Sequence, residues 1–193
     1  SENATVTGRG TKTVVVGDNT YEIKVTSESG KVRTYTINFI REEKSTAPAT
    51  VGEAMNNSGF KYNDNYFFGI NVGTNVSVLI GNIRDYNDST VVEVKSSDGK
   101  IKTNDSFRTG DKVIVTASNE TKTYEVVIYG DVDGDGEIGR KDLLQVQRDV
   151  FGYGSLKGIY RTASDINKDG KVDRTDLLQV QRDVFGYGSI KQN

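Results

Sequence analysis

The chain has no cysteine, no histidine and no tryptophan among its 193 residues, and only one proline. Without cysteine there is no disulfide framework and no thiolate metal site. Without histidine, the commonest general base near neutral pH and a favoured ligand for zinc or copper are both missing. Charge of one sign is lacking too: 25 basic and 27 acidic residues leave a net charge of −2, with no basic tract. That argues against a nucleic-acid partner. No apolar run approaches the length of a membrane span, so membrane insertion is not expected. No secretory leader begins at Ser1, and the mid-pattern opening is what an excised C-terminal piece of a longer protein would show.

What is present is concentrated in two acidic loops of twelve residues, 131–142 and 165–176. The first places Asp131, Asp133, Asp135 and Asp142 at loop positions 1, 3, 5 and 12, and the second places Asp165, Asn167, Asp169 and Asp176 there. Gly136 and Gly170 hold position 6. This is the spacing by which one chain wraps a hard cation in six or seven oxygens, so each loop is expected to bind one calcium ion, two in all. The position-7 residues, Glu137 and Lys171, contribute through their carbonyls. At position 9, Gly139 offers no side chain, whereas Asp173 could hold a bridging water. The first loop has more anionic charge and the second better water anchoring, which leans the second site towards being at least as tight.

The loops belong to a repeat. Asp131 and Asp165 lie 34 positions apart, and at that offset residues 142–155 are identical to 176–189. A helix starting near Arg140 puts Leu143, Val146 and Val150 on one stripe, repeated at Leu177, Val180 and Val184. The simplest core packs these two helices together. A second stripe, rotated from the first, holds Arg140, Leu144, Gln147, Arg148 and Phe151; its twin is Arg174, Leu178, Gln181, Arg182 and Phe185. Core packing gives no reason to keep these outer residues identical while the loops diverge. Arg and Phe beside Leu suit a protein interface, so two equivalent partner-binding faces are expected.

A strand, not a helix, is expected to enter the first loop, so each unit reads as a loop followed by one helix. A half EF-hand repeated twice resembles the dockerin family, over residues 130–193. The resemblance implies two calcium-loaded units that dock an enzyme or adhesin onto a cohesin receptor, and a chain that is monomeric apart from that complex. It further implies an extracellular bacterial setting, in a secreted or cell-surface complex. Matching repeats in this family allow docking in two orientations related by about half a turn. Many dockerins carry Ser-Thr at loop positions 10 and 11 as a specificity determinant. Here those positions hold Arg140-Lys141 and Arg174-Thr175, so a different cohesin specificity is expected.

Upstream, strands should dominate. Residues 1–45 alternate apolar and polar side chains through Tyr21, Ile23 and Val25 and again through Tyr35, Ile37 and Phe39, a hairpin with one buried face. The segment resembles the closing strands of a bacterial cadherin-like β-sandwich, on Gly8-Arg9-Gly10-Thr11 and Thr34-Tyr35-Thr36-Ile37. Residues 46–59 read as a linker, with residues 55–64 loosely structured. Residues 60–129 form a small β-rich module with a capped helix near Asn75, resembling the X modules that precede some dockerins. The expected fold is therefore multidomain: mostly-β, sandwich-like modules followed by a small helical dockerin with two calcium loop–helix units.

The resulting functional expectation is a non-catalytic, calcium-dependent anchoring module, the C-terminal region of a secreted polysaccharide-degrading enzyme or of an adhesin. The alternative is a calcium-stiffened extracellular stalk without a cohesin partner. A stalk needs the inner stripe but not Leu144, Phe151 and their twins.

Overall fold

A computed structural model describes residues 4–43, 49–154 and 156–192. The chain divides into two compact units, residues 1–45 and 46–193.

The first unit is a three-stranded antiparallel sheet, β1 (Thr5–Thr7), β2 (Gly17–Thr26) and β3 (Val32–Arg41), in sequence order. The β2–β3 register pairs Tyr21 with Ile37 and Ile23 with Tyr35, and β1 adds Val6 opposite Val25. Directly paired residues share a face, so these side chains form one apolar surface. Tyr21 stacks on Phe39 with ring centroids 5.6 Å apart. Tyr35, Ile37 and Phe39 are nonetheless exposed, and no apolar side chain of this unit is buried among the described residues. The expected hairpin is present; the expected burial of its face is not.

The second unit opens with α1 (Val51–Asn56), capped by a reciprocal pair in which Glu53 N–H donates to Thr50 Oγ1 (3.2 Å) and Thr50 N–H to Glu53 Oε2 (2.8 Å). This corrects the expected linker over 46–59 and the loose segment over 55–64: Val51, Ala54 and Met55 are fully buried. Their spacing lays one side of α1 onto a sheet, a period too short to stand out in sequence. Residues 44–48, the centre of the expected linker, lie outside the described residues.

Six strands follow: β4 (Lys61–Tyr62), β5 (Tyr66–Phe68), β6 (Val91–Lys95), β7 (Ile101–Lys102), β8 (Lys112–Ala117) and β9 (Glu120–Val126), with α2 (Val76–Tyr86) between β5 and β6. Their spatial order is β4-β5-β9-β8-β6-β7, antiparallel except for the parallel β5–β9 pair. Asn75 caps α2 by accepting from Ser77 N–H at 2.8 Å. Helices α1 and α2 bury Met55, Leu79 and Ile83 against Phe67, Val113, Val115 and Tyr124. The module is thus helices over a mixed sheet and not a second sandwich, because apolar residues of α2 recur at helical spacing and close one face of the sheet.

Strand β5 serves both faces. Phe67 points into the module core, while its neighbours Tyr66 and Phe68 pack against the core of the C-terminal helices. That core is built by α3 (Arg140–Val150), α4 (Gly158–Ser164) and α5 (Arg174–Val184). Val146 and Val180 are fully buried, with Leu143, Val150, Leu177 and Val184 beside them, the expected inner stripes. Helix α4 corrects the expectation that each loop has a helix only on its exit side: it buries Ile159 and Ala163, four positions apart, and ends at Ser164, directly before Asp165. The second loop is flanked by helices on both sides; the first is entered from the sheet.

A candidate metal centre and two helical faces

Each loop is closed by a carboxylate in the first turn of the following helix. Asp142 Oδ1 accepts from Val132 N–H (2.9 Å) and Asp133 N–H (3.2 Å), and Oδ2 from Gly139 N–H (2.8 Å). Asp176 does the same with Ile166 N–H (2.8 Å), Asn167 N–H (3.1 Å) and Asp173 N–H (3.0 Å). Both are buried. Glu137 N–H donates to Asp135 Oδ1 (3.0 Å) and Lys171 N–H to Asp169 Oδ1 (2.9 Å), so the turn at positions 5 to 7 is also shared.

Beyond that the loops differ. In the first, Asp131, Asp133 and Asp142 each bring a carboxylate oxygen within 4.8 Å of the others. Asp131 is fully buried: its Oδ2 accepts from Thr109 N–H (2.8 Å) and its Oδ1 from Gly134 N–H (2.9 Å). Asp135 stands outside the trio, 3.5 Å from the Lys141 ammonium. In the second loop Asp165 accepts from its own loop, from Asp169 N–H (3.1 Å) and Gly170 N–H (2.9 Å). Asn167 Nδ2 donates to Asp169 Oδ2 (2.9 Å), and both side chains are exposed. Asp173 caps α5 by accepting from Thr175 N–H (2.7 Å), and that bond holds its carboxyl below the usual range. The side chain expected to anchor a water is therefore engaged in holding a helix.

Electrostatics follow burial. Desolvation pushes the Asp131 carboxyl up to about 6, against the lowering effect of the Thr109 N–H, and Asp142 adds repulsion. Asp142 is raised for the same first reason, with Asp133 as its neighbouring charge. Carboxylates gathered in a desolvated pocket lack a counter-charge, and a hard divalent cation supplies one. The donor set, all oxygen and with no cationic side chain inside the trio, fits calcium.

The outer stripes lie where expected: Arg140, Lys141, Leu144, Gln147, Arg148 and Phe151 are exposed, as are Arg174, Thr175, Leu178, Gln181, Arg182 and Phe185. They are not separate surfaces throughout, since the Arg174 guanidinium lies 5.7 Å from the Phe151 ring centroid. Two residues missed from sequence are Tyr153 and Tyr187, 82 % and 85 % exposed. They border grooves with Leu144 and Arg148 in one repeat and Leu178 and Arg182 in the other. Their presence in the identical block 142–155 and 176–189 was the available signal. Thr109 and Gln192 were missed as well. Gln192 clasps the entry to the first loop, accepting from Tyr129 N–H (2.8 Å) and donating to its carbonyl (2.9 Å).

Two acidic loops, each closed by a helical Asp and joined through a shared helical core, define a tandem loop–helix domain suited to hard cations. Residues 129–185 match the family model of the dockerin type I domain, which supports a dockerin domain in this part of the chain. Dockerin domains are non-catalytic, bind calcium and dock onto cohesin domains; proteins that carry them are typically extracellular or on the cell surface. No curated protein matches the chain. Among the described residues no helix is long and apolar enough to cross a membrane.

Proposed function

We propose that residues 130–193 anchor an attached enzyme or adhesin to a cohesin-bearing scaffold or cell-surface protein, in a secreted or surface complex of a bacterium. One calcium ion occupies each loop. The first is held by Asp131, Asp133, Asp135, Asp142 and the Glu137 carbonyl, the second by Asp165, Asn167, Asp169, Asp176 and the Lys171 carbonyl, with Asp173 adjoining it. The ions supply the charge that fixes the loops and hence the angle between α3 and α5. The observation that carries this reading is the convergence of Asp131, Asp133 and Asp142 at the head of a helix with exposed apolar anchors.

The residues along the outer stripes recognise the receptor. Leu144 and Leu178 are 52 % and 47 % exposed, Phe151 and Phe185 47 % and 49 %. A stalk without a receptor gains nothing from four such side chains held outward among arginines. The sheet module, with α1 packed into its core, is an X-like support, and residues 1–45 are part of a cadherin-like sandwich. The deciding experiment is capture of the chain by a panel of immobilised cohesin domains in calcium and in chelator. Capture in calcium that is lost in chelator supports docking. Calcium binding without capture by any cohesin favours the stalk.

A further inference from the structure

Resting on the calcium reading above, we infer that the sheet module supplies part of the first metal centre. Thr109, remote from the loop in sequence, is a positioning residue for Asp131. The Thr109 N–H holds Asp131 Oδ2 at 2.8 Å, and Thr109 is itself fixed by its hydroxyl. That hydroxyl accepts from Ile128 N–H (3.1 Å) and donates to the Ile128 carbonyl (3.2 Å), locking the loop between β7 and β8 to the segment that leads from β9 into the metal loop. A buried ion pair holds the other end: Lys102 Nζ lies 2.5 Å from Asp111 Oδ2, which also accepts from Arg108 N–H (2.9 Å).

Contact between the β7–β8 loop and the first metal loop leaves little room for side chains. A Cβ at Gly134 would stand 2.9 Å from the Thr109 carbonyl oxygen, and one at Gly136 would stand 3.3 Å from that of Phe107. Both glycines have positive φ, +75° and +88°. In the second loop the position of Gly134 is taken by Lys168, and Asp165 accepts hydrogen bonds from its own loop. Groups that orient a metal ligand are commonly worth ten- to a hundredfold in affinity. The module therefore pre-sets Asp131 in the first site by a hydrogen bond, whereas the second loop meets Tyr129 through the Lys168 ammonium, 4.5 Å from the ring centroid.

The test uses the full chain, with calcium titrated against the amide resonances of Gly136 and Gly170, which report the two loops separately. Thr109→Val removes the hydroxyl clamp at constant shape, and Thr109→Ser keeps it. Thr109→Val is expected to raise the Kd read at Gly136 roughly tenfold and leave that at Gly170 unchanged, with Thr109→Ser close to wild type. An unchanged Gly136 midpoint, or equal weakening at both loops, overturns the inference. Should Thr109→Val not fold, the wild type decides: hydrogen exchange at the Thr109 amide must slow in step with the Gly136 titration, and indifference to calcium overturns the inference. A wild-type Gly136 that ignores calcium instead fails the calcium reading itself, and the inference with it.

Discussion

The two metal loops share the closing Asp, the position-6 glycine and the turn around it, yet one is walled and the other open. Asp131 is fully buried against the sheet module, whereas Asn167 and Asp169 of the second loop face solvent. Repetition in sequence thus does not produce repetition in environment. The first loop enters from β9 and inherits the module as a hydrogen-bonding neighbour of Asp131; the second enters from α4 and meets Tyr129 through the Lys168 ammonium, 4.5 Å from the ring centroid. Against the sequence-based lean towards the second site as at least as tight, we propose that the first is the tighter, since Asp173 is engaged at a helix cap and the first trio is already assembled.

The largest effect expected is from removing calcium. A site of about 1 μM in about 1 mM calcium contributes roughly 4 kcal/mol by linkage, comparable to the stability of a small domain. Thermal melts of the 46–193 unit within the full chain should separate widely between calcium and chelator; coincident melts would show the loops folded without an ion. Next is receptor binding. Replacing Leu144, Arg148, Phe151, Leu178, Arg182 and Phe185 with Ala should cost several kcal/mol of cohesin affinity. Replacing only one triplet should cost RT ln 2, about 0.4 kcal/mol, because the second docking mode remains. Arg174 beside Phe151 sharpens this test, since loss of Phe151 also frees a residue of the other stripe. A single-triplet variant that abolishes binding would leave one face as the site.

A smaller effect separates the loops by pH. In chelator the folded chain keeps the Asp131 proton up to about 6, against an ordinary value of 3.8. The folded state then binds more protons than the unfolded one between these values. Its contribution to stability is present below the lower value and is lost as pH rises through the upper. Calcium requires the carboxylate, so binding at pH 6 should release about half a proton from this group and almost none at pH 8. Calorimetry in buffers of different ionisation heat reads the difference. Release that does not fall between pH 6 and 8 would place the proton elsewhere.

The parts legible in the sequence are those whose cause is local. Loop spacing placed Asp131 and Asp142, and a helical period separated Val146 and Val180 in the core from Leu144 and Leu178 outside. Asn75 announced the start of α2. The parts missed depend on distant pairing. The short helix α1 is held by burial of Val51, Ala54 and Met55, and its six residues carry too little periodicity to stand out. The parallel β5–β9 pair, which turns Tyr66 and Phe68 towards the helical core, leaves no mark in either strand. Thr109 reaches Asp131 across 22 positions through a backbone N–H, a group every residue but proline has. No side-chain pattern signals it.

The inequality of the loops is tested most directly by calorimetric calcium titration of the wild-type chain beside Asp131→Ala and Asp165→Ala. Two ions should bind in resolved steps, with the tighter step absent from Asp131→Ala and retained in Asp165→Ala. Equal steps, or loss of the tighter one in Asp165→Ala, would contradict a first site pre-set by the sheet module.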